Sequence, residues 1–336
     1  MTDRLSMSVV VPLFNGARFI EHTLTSIAEQ TAVERGEVDL EVVVVDDGSS
    51  DDGASLAAAH WVHPTVVRQD HKGVAAARNH GAAVARGDWL AFLDQDDLWH
   101  SSRLELIAPI LAERRASLVL TSETKFAAEN EREQLLRLEP GLTSTVRHWI
   151  TDDGDAEWIR RSGLTTRETT HDEWVTSEHL MRQTVAMSTP FFITAHHLRL
   201  IGGWSLHARS IDDWWLMANA ARLEPILKVD QPTALYRLHL DATSRSTRFV
   251  YPLASSLLAL RFGGQLEEPR SALTEGTTNL PVQHLVMSAL RSPQFVADRG
   301  ALRHLWHMCH LLWPQKRWAL VFVKSRLRRG LSKTRG

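Results

Sequence analysis

The chain has 336 residues, of which 43% are hydrophobic and 23% are charged, and its formal net charge is −2. This composition excludes a mainly disordered chain and a low-complexity or collagen-like chain, and the length suggests about two domains. A single cysteine, Cys309, excludes an intramolecular disulfide and is typical of a reducing compartment.

The charge is unevenly distributed along the chain. Residues 302–336 contain nine Lys or Arg and no acid, whereas the rest carries 29 basic and 40 acidic residues, a net charge of −11. Because amphipathic stretches with Trp and Phe on one side and Lys and Arg on the other lie in the headgroup region of a membrane, we expect this tail to bind an anionic membrane surface rather than nucleic acid. For residues 302–313 an ordinary packed helix is an equal alternative.

The chain shows no secretory signal and no apolar stretch of about 20 residues that would span a membrane. We therefore predict a cytoplasmic protein that lies peripherally on the inner face of the cell membrane.

The first 120 residues alternate between two patterns. Short apolar runs predict strands at Ser8–Val11, Glu41–Val45, Thr65–Arg68, Trp89–Leu93 and Ser117–Leu120. The stretches between them predict helices at Ala17–Gln30, Ser50–Ala59, Gly73–Ala85 and Ser101–Arg115. This alternation predicts an α/β fold with a mostly parallel sheet flanked by helices, which binds ligands at the carboxyl ends of its strands.

The rest of the chain divides into three parts. Residues 121–185 are polar and predict a variable segment with some helix, placed on the acceptor side. A strand at Thr184–Ile193, a helix at Ile211–Ala221 and strands at Ile226–Val229 and Ala234–Arg237 complete a first domain at 1–245. Residues 246–336 predict a helical region that ends in the basic amphipathic tail.

Carboxylates follow two of the predicted strands. Asp94 and Asp96 are two residues apart after a buried strand, an arrangement that suits a divalent cation bridging to phosphate oxygens. The alternative is a solvated turn, with Asp97 or a later residue capping the next helix. Asp46 and Asp47 follow the second strand, where a carboxylate can accept hydrogen bonds from a nucleotide base or ribose. Turn formation is the alternative there.

Three further features are candidates for chemistry. Arg78, on an alanine-rich helix, is either a diphosphate ligand or a surface arginine. Asp212 and Asp213 begin a helix beside aromatic residues, so they either provide a general base or simply favour the helix dipole. His239 is either a metal or phosphate ligand or an ordinary histidine.

Taken together, these segments resemble the family 2 glycosyltransferases of GT-A fold. The match covers residues 7–120 well and residues 185–245 more loosely. The segments that carry it are VVVPLFN at 9–15, VVDDGSSD at 44–51, GVAAARNHG at 73–81, GDWLAFLDQDD at 87–97, DDW at 212–214 and YRLH at 236–239. The chain departs from the family at Phe14, where Tyr is usual, at His71, where Asn is frequent, and at Ala242.

The resemblance implies a role for each matching residue. Asp213 would be the catalytic base, and Asp96 would bind a divalent metal, manganese or magnesium, with help from Asp94 and His239. The remaining residues would bind the nucleotide sugar: Pro12, Phe14, Asp47, Arg78, Asp94, Gln95 and Asp212.

The reaction implied is metal-dependent, inverting transfer of a sugar from a nucleotide-diphosphate sugar to an acceptor hydroxyl. The basic tail favours a lipid-linked saccharide as acceptor, in cell-surface polysaccharide or glycolipid synthesis. A peptide, a protein or a soluble natural product is the alternative acceptor. A non-catalytic nucleotide-sugar binding module is a further alternative, and a Rossmann dehydrogenase is disfavoured because no Gly-x-Gly-x-x-Gly follows the first strand.

Overall fold

Strands and helices alternate through the first 120 residues of the computed structural model, as the sequence predicts. The structure describes residues 4–139, 141–151, 160–161, 173–177, 180, 190–206 and 212–242. The predicted helical region 246–336, with its basic tail, lies outside the described residues.

Twelve strands are found in the described residues. They are β1 (Leu5–Leu13), β2 (Val38–Asp46), β3 (Thr65–Arg68), β4 (Trp89–Phe92), β5 (Leu98–Trp99), β6 (Leu118–Leu120), β7 (Glu123–Ala128), β8 (Val146–Ile150), β9 (Glu173–Val175), β10 (Phe191–Thr194), β11 (Ile226–Lys228) and β12 (Ala234–Leu238). Of the predicted strand Thr184–Ile193, residues 184–189 lie outside the described residues, and β10 begins at Phe191.

The described helices flank these strands. They are α1 (Ile20–Ala28), α2 (Thr31–Glu34), α3 (Gly53–Ala59), α4 (Val74–Val84), α5 (Arg103–Ala112), α6 (Arg132–Leu138), α7 (Leu142–Thr145), α8 (Ala195–Leu200) and α9 (Asp212–Leu223), with a 3₁₀ turn at Glu129–Glu131. None of the helices in these described ranges is both long enough and apolar enough to cross a bilayer.

The large sheet has eight strands in the order β3-β2-β1-β4-β10-β6-β11-β9. Its first four strands are parallel, because β1 pairs in parallel with both β2 and β4 and β2 pairs in parallel with β3. The strand β10 is antiparallel to β4 and β6. The prediction of a mostly parallel sheet flanked by helices is confirmed, with β10 and β9 as the antiparallel exceptions.

The core lies on both faces of the parallel strands. Val9 and Val11 point to the face covered by α1 and α5, and they belong to one apolar cluster with Leu24 and Ile107. The neighbouring Val10 points to the other face, as the two-residue repeat of a strand requires. There α4 packs so closely that a Cβ at Gly81 would collide with the Val10 side chain.

The segment 121–185 contains more strand than the sequence predicts. Two of its strands, β7 and β8, join β5 and β12 in a second sheet of order β5-β12-β7-β8. The pairing of β7 with β12 is parallel and links residues more than 100 positions apart, so local sequence pattern does not reveal it. The small sheet extends directly from the acidic loop at 94–97, because β5 begins at Leu98.

Candidate active site

The carboxyl ends of β1, β2 and β4 bring three loops to one edge of the large sheet. Leu13 and Asp46, the last residues of β1 and β2, are direct neighbours in the parallel register. The Asp47 N–H donates to the Leu13 carbonyl at 2.8 Å, and the Leu93 N–H donates to the Val10 carbonyl at 3.1 Å. The predicted acidic loops at 46–53 and 94–97 therefore lie at the same edge.

Asp47 is buried and organises the loop that follows β3. Its Oδ1 accepts hydrogen bonds from Gln69 Nε2 at 2.7 Å and from the Lys72 N–H at 2.8 Å, and its Oδ2 accepts from the Gly73 N–H at 2.8 Å. His71 Nδ1 lies 2.9 Å from the same Oδ2. The carboxylate thus fixes the chain that leads into α4, and its contact with a nucleotide base stays a prediction.

Phe14 and Gln95 connect two of the loops. Gln95 Oε1 accepts the Phe14 N–H at 2.7 Å, and Gln95 Nε2 donates to the Phe14 carbonyl at 3.1 Å. The Phe14 ring is 41% exposed and stacks on His71, with the ring centroids 4.2 Å apart. Pro12 is buried in β1 opposite Val45. Direct contacts of Pro12, Phe14 and Gln95 with a nucleotide sugar stay predictions.

Arg78 bridges two acidic segments. Its Nη2 donates to Asp94 Oδ1 at 2.6 Å and its Nη1 donates to Asp212 Oδ2 at 2.7 Å. The guanidinium is almost completely buried and lies 4.4 Å from the centroid of the Trp204 ring. The surface alternative for Arg78 is therefore wrong, because the side chain is buried between Asp94, in the loop after β4, and Asp212 of α9.

The same bridge determines how these groups ionise. Burial alone would lower the pKa of Arg78, but the charges of Asp94 and Asp212 hold that pKa above its usual range. Burial raises the pKa of Asp212, although Arg78 opposes the shift. The guanidinium therefore stays protonated, and it offsets the repulsion between the two carboxylates.

The pKa of Asp213 is raised into the neutral range. Burial, followed by the negative charge of Asp212, raises the pKa of Asp213 to about 7. Its Oδ1 accepts the Trp214 N–H at 2.7 Å, a hydrogen bond that opposes the shift. Both acids lie in the first turn of α9, where a negative charge interacts favourably with the helix dipole. This position is compatible with a general base as well, so it does not decide between the two alternatives.

Asp96 lies against His239. The Asp96 Oδ2 is 2.8 Å from His239 Nε2, and the side chain of His239 is almost completely buried. The other ring nitrogen, Nδ1, is buried with no hydrogen-bond partner in the part of the chain that the structure describes. Asp94 instead contacts Arg78, and the described residues contain no group of three or more His, Cys, Asp or Glu suited to a metal.

Asp97 and Arg237 hold the acidic loop to the small sheet. Asp97 is buried, and its Oδ1 accepts the Arg237 N–H at 2.8 Å, while Arg237 Nε donates to the Asp96 carbonyl at 2.8 Å. Asp97 does not cap the next helix, because α5 begins at Arg103. A turn is present, because the Asp97 N–H donates to the Asp94 carbonyl at 3.0 Å, but Asp97 is buried and not solvated as that interpretation requires. The sequence signal for the contact with Arg237 is the YRLH element.

The comparison with protein families agrees with this architecture. Residues 8–171 match the model of the family described as glycosyl transferase family 2. The glycosyltransferase GlyG of Streptococcus pneumoniae is 31% identical to this chain over 118 residues, which are 34% of this chain and 38% of GlyG. This chain spans between 33% and 66% of the length of three curated relatives that it matches.

Two solved structures have the same fold at low sequence identity. S. aureus TarS 1-349 in complex with UDP-GlcNAc has a TM-score of 0.59 and 16% identity, covering 91% of this chain and 81% of TarS. The mannosyltransferase PcManGT from Pyrobaculum calidifontis, in complex with GDP-Man and Mn²⁺, has a TM-score of 0.50 and 18% identity, covering 99% and 87%. The sequence motifs, the sheet topology and the family match agree: residues 8–171 are similar to glycosyl transferase family 2, and the chain has the GT-A fold.

Proposed function

We propose that this chain transfers a sugar from a nucleoside-diphosphate sugar to an acceptor hydroxyl with inversion at the anomeric carbon. The observation that carries the proposal is the bridge from Asp94 through Arg78 to Asp212. It joins the acidic loop, where a diphosphate would bind, to the helix turn that bears Asp213. The family match over residues 8–171, and the nucleotide sugars bound by TarS and PcManGT, support the donor class.

Asp213 is the proposed general base. With a pKa of about 7, a large fraction of its carboxylate is ionised at neutral pH and can accept the proton of an acceptor hydroxyl. The hydroxyl oxygen then forms a bond to the anomeric carbon on the face opposite the nucleotide. The bond from that carbon to the diphosphate oxygen breaks, and its electron pair leaves with the diphosphate. Such a base typically contributes about 10²–10⁴-fold to the rate.

Arg78 prepares the site for an anionic donor. Two carboxylates at this edge would repel a diphosphate, and the guanidinium placed between them offsets their charge. Because the group is planar and permanently protonated, it keeps this function over the whole physiological pH range. The proposed role of Arg78 is therefore to neutralise and align the acids as well as to contact the nucleotide.

A divalent cation fits the contact between Asp96 and His239. A carboxylate oxygen and an imidazole nitrogen point at one another 2.8 Å apart, and both are ligands that Mn²⁺ accepts. Asp96 Oδ2 and His239 Nε2 would hold the cation, with the ring proton of His239 on Nδ1. A bound cation supplies positive charge that stabilises the leaving diphosphate.

The metal proposal is tested by Mn²⁺ binding and by activity. We expect wild type to bind Mn²⁺ in the presence of UDP, measured by electron paramagnetic resonance, and Asp96→Ala to lose most of this binding. Undiminished transfer by wild type in excess chelator would refute the role of the metal. Asp39→Ala, at an exposed position in β2, is the matched control and should bind Mn²⁺ as wild type does.

The proposed acceptor is a lipid-linked saccharide at the cytoplasmic face of a membrane, in the synthesis of cell-surface polysaccharide or glycolipid. The support is the sequence of the tail at 302–336, where each basic residue near anionic lipid contributes about 1 kcal/mol. The test is co-sedimentation of the full chain with anionic vesicles. Replacing Lys324, Arg326, Arg328 and Arg329 by Gln should reduce the bound fraction, and equal binding of both proteins would favour a peptide, protein or soluble acceptor.

A panel of nucleotide sugars tests the function as a whole. The full chain is incubated with Mn²⁺ and UDP-GlcNAc, UDP-glucose, UDP-galactose or GDP-mannose, and release of the nucleoside diphosphate is measured. We expect slow hydrolysis of one donor, which Asp213→Asn abolishes. Binding of a donor without any turnover in the presence of acceptor extracts would favour the alternative of a non-catalytic binding module.

A further inference from the structure

Asn79 follows Arg78 on α4 and pairs with the backbone of a distant residue. Its Nδ2 donates to the Trp204 carbonyl at 2.8 Å, and the Trp204 N–H donates to its Oδ1 at 2.8 Å. One side-chain amide therefore pairs with both backbone groups of Trp204, which lies outside every strand of the described chain.

Trp204 in turn lies against Arg78. Its side chain is 2% exposed, and its ring packs against Phe191 and Phe92 at centroid distances of 5.6 Å and 5.0 Å. The Arg78 guanidinium lies 4.4 Å from the centroid of the same ring. Two consecutive residues of α4 thus contact one tryptophan, Arg78 through the ring and Asn79 through the backbone.

The backbone before Trp204 has little freedom to change. Gly203 has a φ of +76°, a conformation that residues with a Cβ rarely adopt. A Cβ at this position would also collide with Asn79 Oδ1. The position of Trp204 therefore depends on a glycine and on one amide side chain, both outside the acidic cluster.

We propose that Asn79 is a positioning residue, which holds the Trp204 backbone so that the ring supports the guanidinium of Arg78. In this position the guanidinium reaches Asp94 through Nη2 and Asp212 through Nη1 at the same time. The inference rests on the proposed function, because it assigns to Asn79 an effect on transfer that it exerts only through Arg78.

The test compares Asn79→Ala with Asn219→Ala in the full chain. The control also removes a carboxamide, one that donates to the Trp215 carbonyl at 3.0 Å in α9. Two measurements are made on each protein: hydrogen exchange at the Trp204 amide, and kcat with its pH dependence for the donor of the panel above that wild type turns over.

We expect Asn79→Ala to speed exchange at the Trp204 amide and to lower kcat at least about tenfold, because small displacements of positioned groups are costly to the rate. The acid limb of the profile should move to higher pH, since Arg78 lowers the pKa of Asp213. If Asn79→Ala kept the wild-type kcat and pH profile and only its Tm fell, Asn79 would affect stability alone and the inference would be overturned.

Gly203→Ala is a second substitution that should disturb the contact between the Asn79 amide and the Trp204 backbone. Because its Cβ would displace the Asn79 amide, it should lower kcat in the same direction, and the double variant should be little worse than the more damaged single variant. Additive losses would overturn the inference. If wild type turns over no donor, the proposed function fails, whereas unchanged exchange at Trp204 in Asn79→Ala would refute the positioning role by itself.

Discussion

Arg78 Nη1 lies 2.7 Å from Asp212 Oδ2, although the two residues are 134 positions apart in the chain. The contact joins the amino-terminal parallel strands to the helix that carries the proposed base. It is buried on both sides, so water screens it little, and loss of one partner would leave an uncompensated charge.

Arg78→Lys should lower both kcat/KM and stability, although it keeps the positive charge. A lysine ammonium is a compact charge that cannot reproduce the planar contact with two carboxylates and a tryptophan ring. We expect kcat/KM to fall about 10²-fold and stability to fall by about 3 kcal/mol, measured by steady-state kinetics and urea unfolding. Arg86→Lys is the control, since its exposed ion pair with Glu41 contributes little, and equal effects of both substitutions would contradict the prediction.

Asp213→Asn should abolish transfer while UDP still binds. The amide keeps the shape of the side chain but cannot accept the acceptor proton, so kcat should fall about 10²–10⁴-fold. Calorimetry should give a dissociation constant for UDP with Mn²⁺ close to that of wild type. Asp39→Asn, at an exposed position on β2, is the matched control. Wild-type turnover by Asp213→Asn would remove this residue from the mechanism.

Ionisation of Asp213 should raise activity and lower stability as the pH increases. Because the base acts when ionised, kcat/KM should decline as the pH falls through about 7. Folding raises the pKa of this carboxyl from its ordinary 3.8, so its stabilising contribution is complete below that value and is lost as the pH rises through about 7.

Asp213→Asn should therefore unfold at a higher temperature than wild type near pH 8, by a few degrees, and the difference should shrink in acid. Scanning calorimetry at both pH values measures this difference. A variant that is equally less stable at both pH values would show that Asp213 carries no ionisation penalty in the folded state.

Gln95→Glu should weaken nucleotide binding without adding a clash. A glutamate can accept the Phe14 N–H but cannot donate to the Phe14 carbonyl, which would then face a carboxylate oxygen at about the same distance. We expect the loop bearing Phe14 to shift and the dissociation constant for UDP to rise about tenfold, measured by calorimetry with Mn²⁺. Gln134→Glu, exposed on α6, adds the same charge elsewhere and should bind UDP as wild type does.

The strands and helices of the first 120 residues could be predicted because the residue pattern of each one reflects how it is buried. Val42–Val45 is a continuous β-branched run, as a strand buried on both faces requires, and the acids that follow it mark where the strand ends. The predicted helix Ala17–Gln30 is instead shorter in the structure, where α1 ends at Ala28 and a separate helix, α2, begins at Thr31. There Gln30 turns inward, and its Oε1 accepts the Leu104 N–H at 3.0 Å, a contact that no local pattern reveals.

In the site too, the residue types could be predicted from the sequence, whereas the contacts between distant residues could not. The residue types of Asp94, Arg78 and Asp212 indicated chemistry, but only the fold shows that one guanidinium joins the two acids. Asn79 went without a predicted role, and Asp97 was expected only to cap a helix, because their partners, Trp204 and Arg237, are distant in sequence. Side chains that bind backbone leave no signal in spacing, since any residue can supply the N–H or the carbonyl at the other end.

The bond between Asp97 and Arg237 has a consequence for building chimeric enzymes. Because β12 is fastened both to the acidic loop and to β7, exchanging β7 with a relative would shift the Asp96 carbonyl that Arg237 also holds. In the described part of the connection between β7 and β8, Glu131 accepts the Leu240 N–H, and Leu135 and Leu142 pack in one apolar cluster with Leu238 of β12. A segment swap bounded at Arg132 and Thr145 would therefore leave β12 in place only if the new segment keeps apolar side chains at positions 135 and 142.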